Sequence, residues 1–183
     1  MFLFLRKAAA YIVGGFFLLF SIIAIGSHIA FKLQESDIYA LMDRSAPGNK
    51  NPPALLRQLV KISHSKGTSL ESVVARKVLD GLQGENTERA IFWKVKYFIF
   101  STLVKIEIPD EDIYGFYLAL SFNGVNYGAE ELSQRLFAKN LSSLSEEESA
   151  EIAVILWSPS QYEDATVIKR RRDELVARFR EGN

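Results

Sequence analysis

From Ala8 to Phe31 the chain carries no charged side chain, and the run is dense in Phe, Leu and Ile. At about 1.5 Å of helix per residue, these 24 positions reach about 36 Å. That crosses a hydrocarbon core of about 30 Å with some tilt. A cleaved signal peptide has an apolar stretch of only about 7–15 residues ending in a small-x-small site, so the run reads as an uncleaved anchor. Arg6 and Lys7 precede the span, whereas Lys32 beyond it is soon followed by Glu35 and Asp37. The positive-inside rule therefore places the N-terminus in the cytoplasm and the rest of the chain outside. His28 falls near the outer interface, where a polar ring can snorkel, and is read as an interfacial residue and not a site. The expected division is an anchor over residues 1–35, spanning about 8–31, and one domain over residues 36–183.

The roughly 150 residues after the span suffice for one core and are too few for two. Net charge is zero over the 183 residues, which gives no bias toward nucleic acid. There is no cysteine, which excludes disulfides, thiol catalysis and cysteine-ligated metal. His28 and His64 are too few and too far apart to suggest a metal site, and no cofactor is expected.

Helical signals fill the remainder. Gln34–Asp43 can continue as helix until the stretch Ser45–Pro53 breaks it with its prolines and Gly48. Ala54–Ser63 has an apolar face of Leu55, Leu56, Leu59, Val60 and Ile62. Thr68 or Ser69 can cap a helix through Val73, Val74, Val78 and Leu79, ended by Gly81-Leu-Gln-Gly84. Ala90–Val104 is apolar and aromatic, but Lys94, Lys96 and Lys105 cut it too short for a second span. It reads as a core helix, with Trp93, Phe98 and Phe100 inside. Pro109-Asp-Glu-Asp112 opens a helix to about Phe122, its acids matching the positive dipole end. Asn123–Gly128 is a loop and Ala129–Lys139 a helix. Ser145-x-x-Glu148 is a capping box before Ala150–Trp157, stopped by Ser158-Pro159, and a basic helix runs from about Asp164 to Arg180. With no strand alternation, the domain is all-α.

Several residues in order carry a more specific signal: Tyr117-Leu118, Gly124, Tyr127-Gly128-x-Glu130, Phe137-x-Lys139, Leu144, Glu148-x-Ala150, Pro159-x-x-Tyr162 and Arg171-Arg172. This series resembles the C-terminal half of the peptidoglycan glycosyltransferase domain, glycosyltransferase family 51. These are the transglycosylase modules of penicillin-binding proteins and of monofunctional enzymes. Upstream, Lys66–Arg76 lies where the family has GGSTITQQLAK, and Met42-Asp43-Arg44 where it has the EDR of EDRxFxxHxG. Glu88-Arg89 and Trp93-Lys94-x-x-Tyr97 lie where it has an ER pair followed by RKxxE. The resemblance covers about residues 36–180. It implies a lysozyme-like helical domain held to the bacterial cytoplasmic (inner) membrane by one N-terminal helix, facing the periplasm or exterior.

Family members polymerise lipid-linked disaccharide-peptide, using a Glu in the first motif as base and the Glu of RKxxE near the departing pyrophosphate. Here those positions hold Met42 and Tyr97. Met42 cannot take a proton, and a phenol stays protonated near neutral pH. Ala46 and Asn49 replace the family's Phe and His, Glu71-Ser72-Val73 replaces TQQ, and Ala119 replaces the Asn of YLN. Losing a general base costs about 100–10,000-fold, so the resemblance implies a member without the ordinary mechanism. Arg76, Arg89 and Lys94 match cations that contact the lipid pyrophosphate in the family. They are the expected binding residues, equally readable as solvated surface cations. Lys169–Arg172 could meet phosphate or anionic lipid, and otherwise form a solvated face. Trp93, Phe98 and Phe100, core in the first instance, could instead line a lipid-facing groove, because the resemblance implies a domain that dips part of its surface into the bilayer. Three functions follow: an inactive protein binding lipid-linked precursor, glycan or wall-synthesis partners; an active enzyme with Asp43 or Glu71 as replacement base; or a helical envelope scaffold.

Overall fold

The computed structural model describes residues 2–65, 67–83, 90–161 and 164–182. The chain divides into two compact units, residues 1–36 and 37–183. In the first, helix α1 (Phe2–Leu33) contains a segment, Val13–Leu33, long and apolar enough to cross a membrane. Its side chains from Val13 to Ile25 are exposed within the protein, as the surface of a helix meant for lipid must be. Helix α2 (Glu35–Asp43) begins in this unit after a break at Gln34, where the sequence suggested a continuous helix.

The second unit holds the end of α2, then α3 (Pro47–Lys50), α4 (Ala54–His64), α5 (Leu70–Gln83), α6 (Ala90–Glu107) and α7 (Asp110–Leu120). Helices α8 (Ala129–Phe137), α9 (Glu146–Trp157) and α10 (Ala165–Gly182) follow. Among the described residues the only β pairing is an isolated bridge between Phe122 and Tyr127. The centre is α9, buried continuously from Ser149 to Leu156 except at the half-exposed Glu151. It packs on α4, α8 and α10. Its start carries the capping box read from sequence: Ser145 Oγ accepts from Glu148 N at 3.2 Å, and Glu148 Oε2 accepts from Ser145 N at 2.8 Å. A second layer sets α5 against α6 and α7, with Val74, Ala75, Val78 and Leu79 buried against Phe116, Tyr117 and Leu118. Fully burying one such side chain stabilises by about 1.5–3 kcal/mol.

The break after Asp43 is as expected: α2 ends there, and Pro47 and Gly48 lie only in the single turn α3, which Pro47 starts because proline's fixed φ suits the first helical position. Helix α5 is described to Gln83, within the run Gly81–Gly84 read as its end; Gly81 lies in its last turn, where a methyl group would come within 3.0 Å of Leu41 Cδ1. Gly84 lies outside the described residues. One expectation is corrected: α6 is not a core helix. Among its described side chains only Phe100 and Val104 are buried, Trp93 is half-buried, and Ile91, Phe92, Val95, Phe98 and Ile106 are exposed, Phe98 by 71%. On a helical projection the exposed apolar residues form one stripe, bordered by Lys94 and Lys105.

Candidate functional site

The first-motif strip runs from the end of α2 into α3. Met42 points inward and is 6% exposed. Across from it, a methyl group on Gly115 of α7 would lie 2.8 Å from Met42 Sδ and 3.0 Å from the Lys50 carbonyl oxygen. The approach of α7 to this strip therefore requires glycine at 115, and the thioether fills the contact. Asp43 is exposed, and its Oδ1 lies 2.6 Å from Lys50 Nζ. Asn49 is fully buried. Its Oδ1 accepts from the backbone N–H groups of Ala129 and Glu130, at 3.1 and 2.8 Å, and its Nδ2 donates to Glu131 Oε2 at 3.2 Å. Gly128, just before α8, has φ +104° and no side chain to cap it, so Asn49 supplies the cap from across the fold.

The second and third motif positions meet between α5 and α6. Tyr97 donates its hydroxyl to the Ser72 carbonyl oxygen at 3.1 Å. Its ring stacks on Trp93, with centroids 5.2 Å apart and planes 7° from parallel. The Arg76 guanidinium lies 5.9 Å from the centre of the Trp93 ring, and its Nε is 3.9 Å from Asp80 Oδ2. Ser72, Tyr97, Trp93 and Arg76 thus form one continuous tie between the helices. Of the expected binding residues, Arg76 is largely exposed at the end of this tie, and Lys94 is exposed on the next position of α6. Arg89, with Glu88, lies outside the described residues.

Of the two replacement carboxylates, Asp43 is engaged by Lys50, whereas Glu71 lines a cavity of about 330 Å³ with Lys61, His64, Asp110 and Tyr114. Burial, then the charges of Asp110 and Glu71, push the Tyr114 phenol above its ordinary pKa. Asp110 nonetheless keeps its place in the first turn of α7. Beneath the cavity lies a polar group that sequence reading missed. The His64 ring meets Tyr117 edge-on at 4.9 Å, and Lys77 Nζ sits 6.0 Å from the Tyr117 ring centre and 3.4 Å from the Leu120 carbonyl oxygen. Burial lowers the pKa of both His64 and Lys77, and the Lys77 charge depresses His64 further. The signal was available: Lys77 falls on the Val74–Val78 face of α5, where a charge is out of place.

Residues of the C-terminal series are engaged within the domain. Lys139 Nζ and Glu148 Oε1 are 2.6 Å apart, and this bond holds the Glu148 carboxyl below the usual range. Glu130 Oε2 accepts from Leu141 N at 3.1 Å, and Arg172 reaches Glu151 at 3.3 Å and Asp173 at 2.8 Å. The transglycosylase family pattern matches residues 52–180. The chain belongs to the transglycosylase family. No curated protein matches it. The matched segment contains Glu71, Arg76, Lys94 and Tyr97 and begins after the strip that holds Met42 and Asn49. The matched domain and the apolar first helix, long enough to cross a membrane, fit a membrane-anchored, glycosyltransferase-like protein.

Proposed function

We propose that this transglycosylase-family protein does not polymerise glycan but binds lipid-linked cell-wall precursor, nascent glycan or wall-synthesis partners. It does so from the outer face of the bacterial cytoplasmic membrane. The observation that carries this reading is the packing of Met42, at the family's general-base position, against Gly115 and away from solvent. Proton abstraction needs a basic group within about 3 Å of the acceptor hydroxyl. A buried thioether offers neither basicity nor reach. Tyr97, at the second position, has its hydroxyl committed to Ser72. Retained cations support binding: Arg76 and Lys94 stay exposed, and charge-assisted bonds to a pyrophosphate need no catalytic carboxylate. The exposed apolar stripe of α6, bordered by lysines, suits a helix that lies in the interface of an anionic bilayer.

Incubating the full-length protein with lipid II in detergent is the test, with no polymer expected. A second reading, an active enzyme using Glu71, has the cavity beside that residue in its favour. Polymer that disappears in Glu71→Gln or Asp43→Asn would establish it and overturn ours. Binding is tested with undecaprenyl pyrophosphate, where Arg76→Ala, Arg89→Ala or Lys94→Ala should each weaken affinity roughly 10–100-fold. Unchanged affinity in all three would leave the scaffold reading.

A further inference from the structure

The basic face of α10 is mostly accounted for by bonds within the domain. Arg172 holds Glu151, Arg180 holds Glu146 and Glu147, and Arg178 donates to the Ile62 carbonyl oxygen at the end of α4. Arg171 is different. Its guanidinium lies 5.0 Å from the centre of the Trp157 ring, and its Nη1 is buried with no hydrogen-bond partner. It lines a cleft of about 340 Å³ between α4, α9 and α10, together with Ser63, Trp157, Arg170, Arg178 and Glu174. Three guanidinium groups face one carboxylate there, and that carboxylate, Glu174, stands 3.8 Å from Arg170 rather than on Arg171.

A buried donor left without an acceptor costs about 1–3 kcal/mol, which the fold bears at this one arginine nitrogen. The indole holds the guanidinium plane, so its donors are pre-aimed and little side-chain entropy remains to be lost on binding. The lining carries an excess of two positive charges, more than one carboxylate would balance, and a cleft of this size is at the lower end of small-ligand sites.

We propose that the cleft is a binding site for a phosphate group, held by Arg171 on the face of Trp157 with Arg170 and Arg178 as flanking charges. A phosphoryl group is held by the Arg171 donors other than the buried Nη1, whose planar arrangement allows two parallel bonds. Two sources share this chemistry, a soluble phosphate ester and the headgroup of an anionic phospholipid. The site uses neither Arg76 nor α6 and stands or falls apart from the proposed function.

The experiment measures thermal unfolding and Trp fluorescence of the detergent-solubilised full chain with inorganic phosphate, then binding to phosphatidylglycerol and phosphatidylcholine nanodiscs. Phosphate should raise the Tm of the wild type, and sodium chloride at equal ionic strength should not. Arg171→Met, which keeps the stacked shape without donors, should fold with equal or higher Tm in plain buffer and bind phosphate at least 10-fold more weakly. Arg171→Lys should fall between them, and Lys169→Ala should change affinity less than 2-fold. A phosphate shift without preference for phosphatidylglycerol identifies a soluble ligand; an Arg171-dependent preference for phosphatidylglycerol identifies the lipid. Equal phosphate shifts in wild type and Arg171→Met, or no shift in either with no Arg171-dependent lipid preference, would overturn the proposal.

Discussion

The strip and helices from Met42 to Tyr97 contrast with the block from α7 to α10 in what their motif residues touch. In the C-terminal block, residues that fit the family series bond to one another or to the backbone beside them, as Lys139 does with Glu148 and Glu130 with Leu141. In the N-terminal region the positions that depart from the series have been drawn into packing. Met42 fills the gap left by Gly115, Asn49 caps α8, and Tyr97 ties α6 to α5. The difference lies in the contacts: motif residues of the C-terminal block bond close to their own helices, whereas Met42, Asn49 and Tyr97 join elements distant along the chain. Under the proposed function, these N-terminal positions serve packing in place of proton transfer.

The largest effect should come from Asn49→Ala. Two N–H groups at the start of α8 lose their acceptor in a buried setting, and the Glu131 contact goes with them. A loss of about 2–4 kcal/mol in chemical unfolding is expected. A loss below about 0.5 kcal/mol would mean that the strip does not hold α8 and would dissolve the contrast. Gly115→Ala comes next, at about 1–3 kcal/mol, since the added methyl meets Met42 Sδ and the Lys50 carbonyl. Combining it with Met42→Ala should recover part of that loss, because the side chain yields while the backbone oxygen does not. Strict additivity in the double variant would show that the two do not touch. Tyr97→Phe removes one half-exposed hydrogen bond and should cost about 1 kcal/mol.

The smallest effect is a pH dependence. Burial holds the folded-state pKa of His64 below 6.5. The unfolded chain therefore binds the extra proton first, so stability is full above 6.5 and falls as pH drops from there through the folded pKa. His64→Phe should remove that part of the slope, seen as a flatter Tm against pH below 6.5. A slope unchanged by the substitution would place the pH sensitivity elsewhere.

Much of this was legible in advance. The helices, the capping box at Ser145 and the family frame follow from period, caps and turn residues, which act locally. What the sequence hid depends on partners distant along the chain. Asn49 reads only as a lost histidine until Ala129 and Glu130 are seen to need a cap. Gly81 reads only as part of a helix stop until Leu41 is placed against it. Phe98 reads as core because composition alone cannot say which face of α6 finds a neighbour. Arg171 reads like any cation of α10 until Trp157 lies beneath it and no acceptor beside it.

The central claim is that the first catalytic position has become part of the core. It is tested most directly by the unfolding free energies of Met42→Leu and Met42→Glu, with the lipid II polymerisation assay run on Met42→Glu/Tyr97→Glu. The account predicts that leucine costs less than about 1.5 kcal/mol. It predicts that glutamate costs at least about 3 kcal/mol, because an unpaired carboxyl is forced into a buried site. It also predicts that the double variant forms no polymer. A Met42→Glu protein as stable as the wild type, whose double variant polymerises lipid II, would contradict it.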